Sequence, residues 1–177
     1  DLLLEIDSLT YLSATGVQLY LKTAAESNQI YLLTLEGLQD CFGNELDNQA
    51  IEILLPESPK LGNLIINEVL FNPRTGDPKF VEIKNTSQSF LNLENWALAN
   101  VNSAGDIDQI RIFGNQGLIL SPESYLAITT DVNALKLSYP KSAQGSFLQI
   151  ASLPSYPIGG GTVVLVDSED EIAESFE

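Results

Sequence analysis

An all-β sandwich is the fold that this sequence predicts, and three observations predict it. Apolar and polar residues alternate over short spans, the periodicity of strands with one buried face. Clusters of Pro, Gly, Asn, Asp and Ser separate those spans. Seven or more such spans accompany a single helical segment, the count that a sandwich requires.

The elements follow in order. Val17, Leu19 and Leu21 face one way, with Gln18, Tyr20 and Lys22 opposite. Ile30 to Leu35 and Ile51 to Leu55 are apolar runs, expected to be buried strands. Pro56 to Gly62 holds two prolines and a glycine in seven residues and reads as a linker. Leu64 to Phe71 makes a strand that Asn72-Pro73 stops, and Arg74 to Pro78 makes a turn. In the next strand Val81 and Ile83 face one way, while Phe80, Glu82 and Lys84 face the other. Leu91 and Leu93 begin a further strand, with Trp96 and Leu98 as its large buried residues. Ile110 and Ile112 flank Arg111. Tyr125 to Thr129 follows the turn Ser121-Pro122-Glu123-Ser124. Asp131 to Tyr139 is the one helix, capped by Asp131 and stopped by Pro140. Thr162 to Asp167 and Glu171 to Phe176 form a closing hairpin. No internal repeat or low-complexity tract interrupts this order.

Composition bounds the function classes. Of 177 residues, 44% are apolar and 18% charged, which supports a packed core. The net charge is −16. Residues 1–58 carry 10 acidic and 1 basic residue, and the remainder carry 14 and 7, so neither part presents a basic face. Nucleic acid is therefore not an expected partner, since phosphate binding needs Lys and Arg. An anionic membrane surface is disfavoured for the same reason. No apolar run approaches the ~20 residues of a spanning helix, so no membrane insertion is expected. One cysteine, Cys41, cannot form an internal disulfide, and with no cation nearby in sequence it reads as structural. Histidine is absent, which removes the commonest general base and metal ligand. Methionine is absent too and the first residue is Asp, so the expectation is a mature form or a piece of something longer.

Several separated pieces resemble a known family. They are I-N-E, V-E-I-x-N-T-S, L-N-L and N-W-A-L-A-N within Leu64–Asn100. Further on come L-S-P-E-S-Y-L-A-I-T-T-D from Leu120, S-L-P-S-Y-P, the glycines Gly159 to Gly161, and T-V-V-L-V-D. Together, over about residues 62–177, they resemble a lamin tail domain of the bacterial type, an immunoglobulin-like β-sandwich. The hairpin Asp167-Ser168-Glu169-Asp170-Glu171 lacks the glycine usual there. Y-L-L-T-L-E-G-L-Q-D-C-F-G-N, from Tyr31 to Asn44, resembles the C-terminal part of a bacterial Ig-like domain, with Asp40, Gly43 and Asn44 matching its turn. The domain reading is a partial Ig-like segment over 1–58, a linker over 59–63 and a lamin tail-like sandwich over 64–177. Residues 1–58 supply fewer strands than a full sandwich needs, so apolar faces and strand edges are expected to stay exposed unless further strands or the next domain cover them.

Candidate sites are few. Glu68 and Glu82 are the best pair of carboxylates, the grouping that glycoside hydrolysis uses. Both fall at matched family positions, so the reading is structural. Asn85 is expected to bond the backbone of its own turn. Asn85-Thr86-Ser87 also fits a glycosylation sequon, a short and common pattern. Asp106, Asp108 and the cluster Asp167, Glu169, Asp170, Glu171 are the calcium candidates, against the plainer reading of solvated acidic turns. Gly159 to Gly161 precede a strand and lack the helix N-terminus of a phosphate loop. Trp96 reads as core, with an exposed sugar platform as the alternative. Asp40, Gly43 and Asn44 read as turn residues.

The expectation is thus a non-catalytic interaction or spacer module of a larger secreted or cell-surface bacterial protein, extracellular, without cofactor or resident metal. Its partner would be a protein or a cell-surface polysaccharide. The alternative is a carbohydrate-binding accessory module of a secreted enzyme, which exposed Tyr or Trp side chains in a row would favour.

Overall fold

A computed structural model describes residues 4–13, 15–40, 42–45, 47–142, 146–156 and 160–177. The chain divides into two compact units, Asp1–Glu57 and Ser58–Glu177.

The first unit holds two antiparallel hairpins. One joins β1 (Ile6–Ser13) to β2 (Gly16–Leu21), and the other joins β3 (Ile30–Leu35) to β4 (Gln49–Leu54). Tyr31 is the one buried hydrophobic residue described in this unit, and its hydroxyl accepts the Glu26 N–H at 3.0 Å. The expectation of buried strands at Ile30 to Leu35 and Ile51 to Leu55 is therefore corrected. Both segments are strands, yet Leu32 is 64% exposed and Ile51 46%. Each sheet has only two strands. Apolar patterning marks which face would be buried, but burial needs a second layer to close over it. A peptide of residues 1–57 should accordingly melt without a cooperative transition in a circular dichroism scan. A sigmoidal, reversible unfolding curve would contradict this.

The second unit is a two-layer sandwich. Its strands are β5 (Leu64–Leu70), β6 (Phe80–Asn85), β7 (Leu91–Asn92), β8 (Ala97–Val101), β9 (Ile107–Ile112), β10 (Ile119–Leu120), β11 (Tyr125–Thr129), β12 (Phe147–Gln149), β13 (Val163–Val166) and β14 (Ile172–Phe176). One helix, α1 (Val132–Ser138), lies between β11 and β12. The first sheet has the order β12-β11-β6-β5 and the second β14-β13-β8-β9, with β7 and β10 as a short ribbon. Inward residues of both sheets meet in one core: Val81, Ile83 and Ile128 from the first, Leu98, Val163 and Leu165 from the second, with Trp96 and Phe113 filling between them. Burying these side chains stabilises the unit by roughly 1.5–3 kcal/mol each before entropy is counted.

Local chemistry explains the elements. Alternation along β6 sends Val81 and Ile83 to the core, and the opposite face of that strand carries Phe80. Leu91 and Leu93 do not continue into Trp96. Asn92 Oδ1 accepts the Glu94 N–H at 3.0 Å, Asn95 takes φ +64°, and Trp96 N–H donates to Leu93 O, so a tight turn separates β7 from β8. Asp131 caps α1 by accepting the Ala134 N–H at 2.9 Å, and Pro140 follows the C-cap Tyr139. β12 pairs parallel with β11, which the intervening helix permits. Among the described residues no helix is long and apolar enough to cross a membrane.

Candidate functional site

The outer face of the first sheet carries a concavity. Register sets its floor. Phe147, Ala127, Glu82 and Glu68 form one row across β12, β11, β6 and β5. Tyr125 pairs with Lys84 in the next row. Glu68 reaches this row because a bulge interrupts β5 between Ile66 and Glu68. Ile66 pairs with Ile83 on the core side. The bulge then places Glu68 opposite Glu82 on the outer side, while Val69 returns to the core.

Helix α1 walls this floor. Leu135 is buried against Phe80 and Ala127, and Tyr139 meets Phe80 edge-on with centroids 5.9 Å apart. Ser138 Oγ donates to Asp77 Oδ1 at 2.7 Å and ties the helix end to the β5–β6 turn. The groove between them has a volume of about 320 Å³ and is lined by Tyr125, Tyr139, Phe147, Ala127, Glu68 and Glu82 among others. That size falls at the low end of small-molecule sites. Ala127 leaves room where a larger floor residue would fill the space.

Charge is arranged unevenly around the groove. Glu82 is half-buried, and its Oε1 accepts Asn67 Nδ2 at 2.7 Å. Glu68 is exposed, and its side chain has no hydrogen bond or ion pair among the described residues. Like charges directly opposite on paired strands repel. Lys84 Nζ stands 5.1 Å from the Tyr125 ring centroid, and Lys136 Nζ 5.3 Å from that of Phe147. Neither lysine lines the groove.

The remaining candidates lie elsewhere. Asn85 is fully buried. Its Nδ2 donates to Ser89 O at 2.7 Å, Ser121 O at 2.9 Å and Leu120 O at 3.2 Å. Its Oδ1 accepts Ser87 N–H at 2.9 Å and Ser87 Oγ–H at 2.7 Å. It thus clamps its own turn to the end of β10. That burial rules out the sequon as a glycan site, because the amide nitrogen is enclosed and occupied. Trp96 is 4% exposed and belongs to the core, so it offers no sugar platform.

The acidic turns do not converge. Ala97 pairs with Val166 and Asn100 with Val163, so the β8–β9 turn before Asp106 and Asp108 lies at the opposite end of the second sheet from the Asp167–Glu171 turn. Asp167 Oδ1 accepts the N–H groups of Glu169 and Glu171 at 2.9 and 3.0 Å, and Asp170 takes φ +65°. Among the described residues no group of three or more metal-ligating side chains occurs. Gly160 and Gly161 precede β13, and Gly159 lies outside the described residues.

In the first unit Asp40 organises its turn. Oδ1 accepts the N–H of Phe42 and of Asn44 at 2.8 and 2.9 Å, Oδ2 accepts Asn44 Nδ2 at 2.7 Å, and Gly43 takes φ +83°. Cys41 lies outside the described residues. The Asn44 side-chain amide, followed by its backbone N–H, holds the Asp40 carboxyl below its ordinary 3.8. A depressed folded value means that the turn gains from ionised Asp40 above pH 3.8 and loses that gain as pH falls through the lower folded value. In a carboxyl-carbon NMR titration Asp40 should show a midpoint below 3.8 that rises in Asn44→Ala, and a midpoint at or above 3.8 would contradict the geometry.

Sequence reasoning singled out the two glutamates but missed Tyr125, Ala127, Tyr139 and Phe147 as their neighbours. The outward alternation of β6 was the available signal. The pairing of β12 with β11 had none, because parallel partners are joined only through the helix.

No curated protein matches the chain. The family described as Lamin Tail Domain matches residues 57–177, which is the sandwich unit almost to the residue. The chain therefore belongs to the lamin tail domain family, whose immunoglobulin-like β-sandwich is consistent with a non-catalytic module.

Proposed function

We propose that this protein is a non-catalytic recognition module of a larger secreted or cell-surface bacterial protein, and that the groove between α1 and the first sheet is its binding surface. The observation that carries the reading is the groove itself. Tyr125 and Tyr139 stand exposed at its walls above the small floor residue Ala127. Strand β11 holds Tyr125 and the end of α1 holds Tyr139, and a preformed site on regular elements lowers the ordering cost of binding. Its partner is a protein or a cell-surface polysaccharide. The accessory carbohydrate-binding reading draws on the same exposed rings, since aromatic faces stack on sugars.

The reading assigns no reaction. Histidine is absent from the sequence, Glu68 is exposed, and the Oε1 of Glu82 is engaged by Asn67. It also assigns no resident metal, no nucleic-acid partner and no membrane insertion, in keeping with the acidic surface and the scattered acidic turns.

An array of bacterial cell-wall oligosaccharides and basic and neutral peptides tests the proposal. The full chain should bind a subset, and Ala127→Leu should weaken that binding at least about tenfold, because the larger side chain fills the space that the ligand would occupy. Because Ala127 packs on Phe80 and Leu135, Tyr125→Ala at the exposed wall serves as the second variant. Binding that survives both substitutions, or no binding to any probe, would overturn the reading.

A further inference from the structure

We infer that the groove takes an arginine side chain presented by a basic partner protein. This rests on the preceding reading that the groove is the recognition surface. Glu68 and Glu82 stand side by side at one cross-strand pair, an arrangement that costs stability unless a cation comes between them. Neither forms an ion pair among the described residues. Each retains acceptor capacity: Glu68 has both oxygens, and Glu82 has its Oε2 beside the Oε1 that holds Asn67. Beside them lie Tyr125, Tyr139 and Phe147 around an apolar floor.

A carboxylate pair against aromatic walls matches a guanidinium better than an ammonium. The guanidinium is planar, stacks on rings, and forks to carboxylate oxygens while its stem covers apolar surface. Lys84 Nζ and Lys136 Nζ stand over the Tyr125 and Phe147 rings, and neither forms an ion pair with Glu68 or Glu82 among the described residues. The net charge of −16 steers a basic partner and repels a second copy of the chain. A neutral sugar would use the rings but has no need of two adjacent carboxylates.

Amide NMR of the full chain distinguishes these ligands, with N-acetyl-arginine amide, N-acetyl-citrulline amide and cellobiose as probes. The arginine probe should give saturable shifts at Tyr125, Ala127, Tyr139 and Phe147. Its neutral isostere should bind about tenfold more weakly, the ordinary margin of a charge-assisted hydrogen bond. Glu68→Gln with Glu82→Gln should erase the difference between arginine and citrulline while the fold is retained, because the substitution relieves like-charge repulsion. Equal binding of arginine and citrulline would overturn the inference. Cellobiose moving the groove resonances while arginine leaves them still would overturn it too, with the recognition surface itself upheld. Stillness of the groove under all three probes would overturn both.

Discussion

Asn85→Asp should lower the stability of the sandwich unit by roughly 3–5 kcal/mol. The substitution keeps shape and volume. It replaces the amide that donates to Ser89 O, Leu120 O and Ser121 O with a second acceptor oxygen. Three carbonyls then face a buried carboxylate, and none can move away without parting the β6–β7 turn from the end of β10. Each orphaned group costs about 1–3 kcal/mol, and the buried charge adds to that. Urea unfolding followed by Trp96 fluorescence measures the loss, because Trp96 is the single tryptophan and sits in the same core. Asn85→Ala should be milder, since it leaves the same three carbonyls without their donor but introduces no buried charge. A shift of less than about 1 kcal/mol for Asn85→Asp would show that the clamp is not what closes this end of the sandwich.

Gly114→Ala should be comparably severe for a different reason. A Cβ at Gly114 would lie 1.6 Å from Leu93 O and 2.8 Å from both Leu93 C and Trp96 N. All three are backbone atoms, so no side-chain rotation relieves the clash. The Gly114 carbonyl accepts the Asn95 N–H at 2.8 Å, and its own N–H donates to Trp96 O at 3.0 Å. Relief of the clash breaks that pair and shifts Trp96 out of its packing. A loss of about 3 kcal/mol or more is expected, near 10 °C in melting temperature for a unit of this size. Gly117→Ala is the control. That glycine has φ +81° but open space around its Cβ position, so only the backbone cost of about 1 kcal/mol applies. Equal melting temperatures for the two variants would contradict the close-approach argument.

These two residues show where the sequence was and was not legible. Asn85 was readable as a turn former because Asn followed by Thr-Ser after a strand is a local pattern. Its partners at Leu120 and Ser121 lie far along the chain, and nothing local announces them. Gly114 stands alone between Phe113 and Asn115 without a turn signature, and its role is defined by Leu93 passing within contact of its Cα. Helix α1 was legible because its cap and its stop are both written in sequence, at Asp131 and Pro140. The outward face of β6 was legible from alternation alone. The placement of Glu68 beside Glu82 was not, because a one-residue bulge at Asn67 sets it, and strict alternation would send Glu68 to the core side with Ile66. In the first unit, Ile30 to Leu35 carried the right secondary structure and the wrong burial. Apolarity specifies a preference, whereas burial depends on a covering layer, and the two facing hairpins bury only Tyr31 among the described hydrophobic residues of this unit.

Amide shifts of the full chain, mapped against a set of capped amino-acid amides and short cell-wall oligosaccharides, should gather on Tyr125, Ala127, Leu135 and Phe147 for every probe that binds, and should vanish in Ala127→Leu. Shifts that gather instead at the β8–β9 turn, at the Asp167–Glu171 turn or in the first unit, or that persist when Ala127 is enlarged, would contradict the claim that this face is where the module recognises its partner.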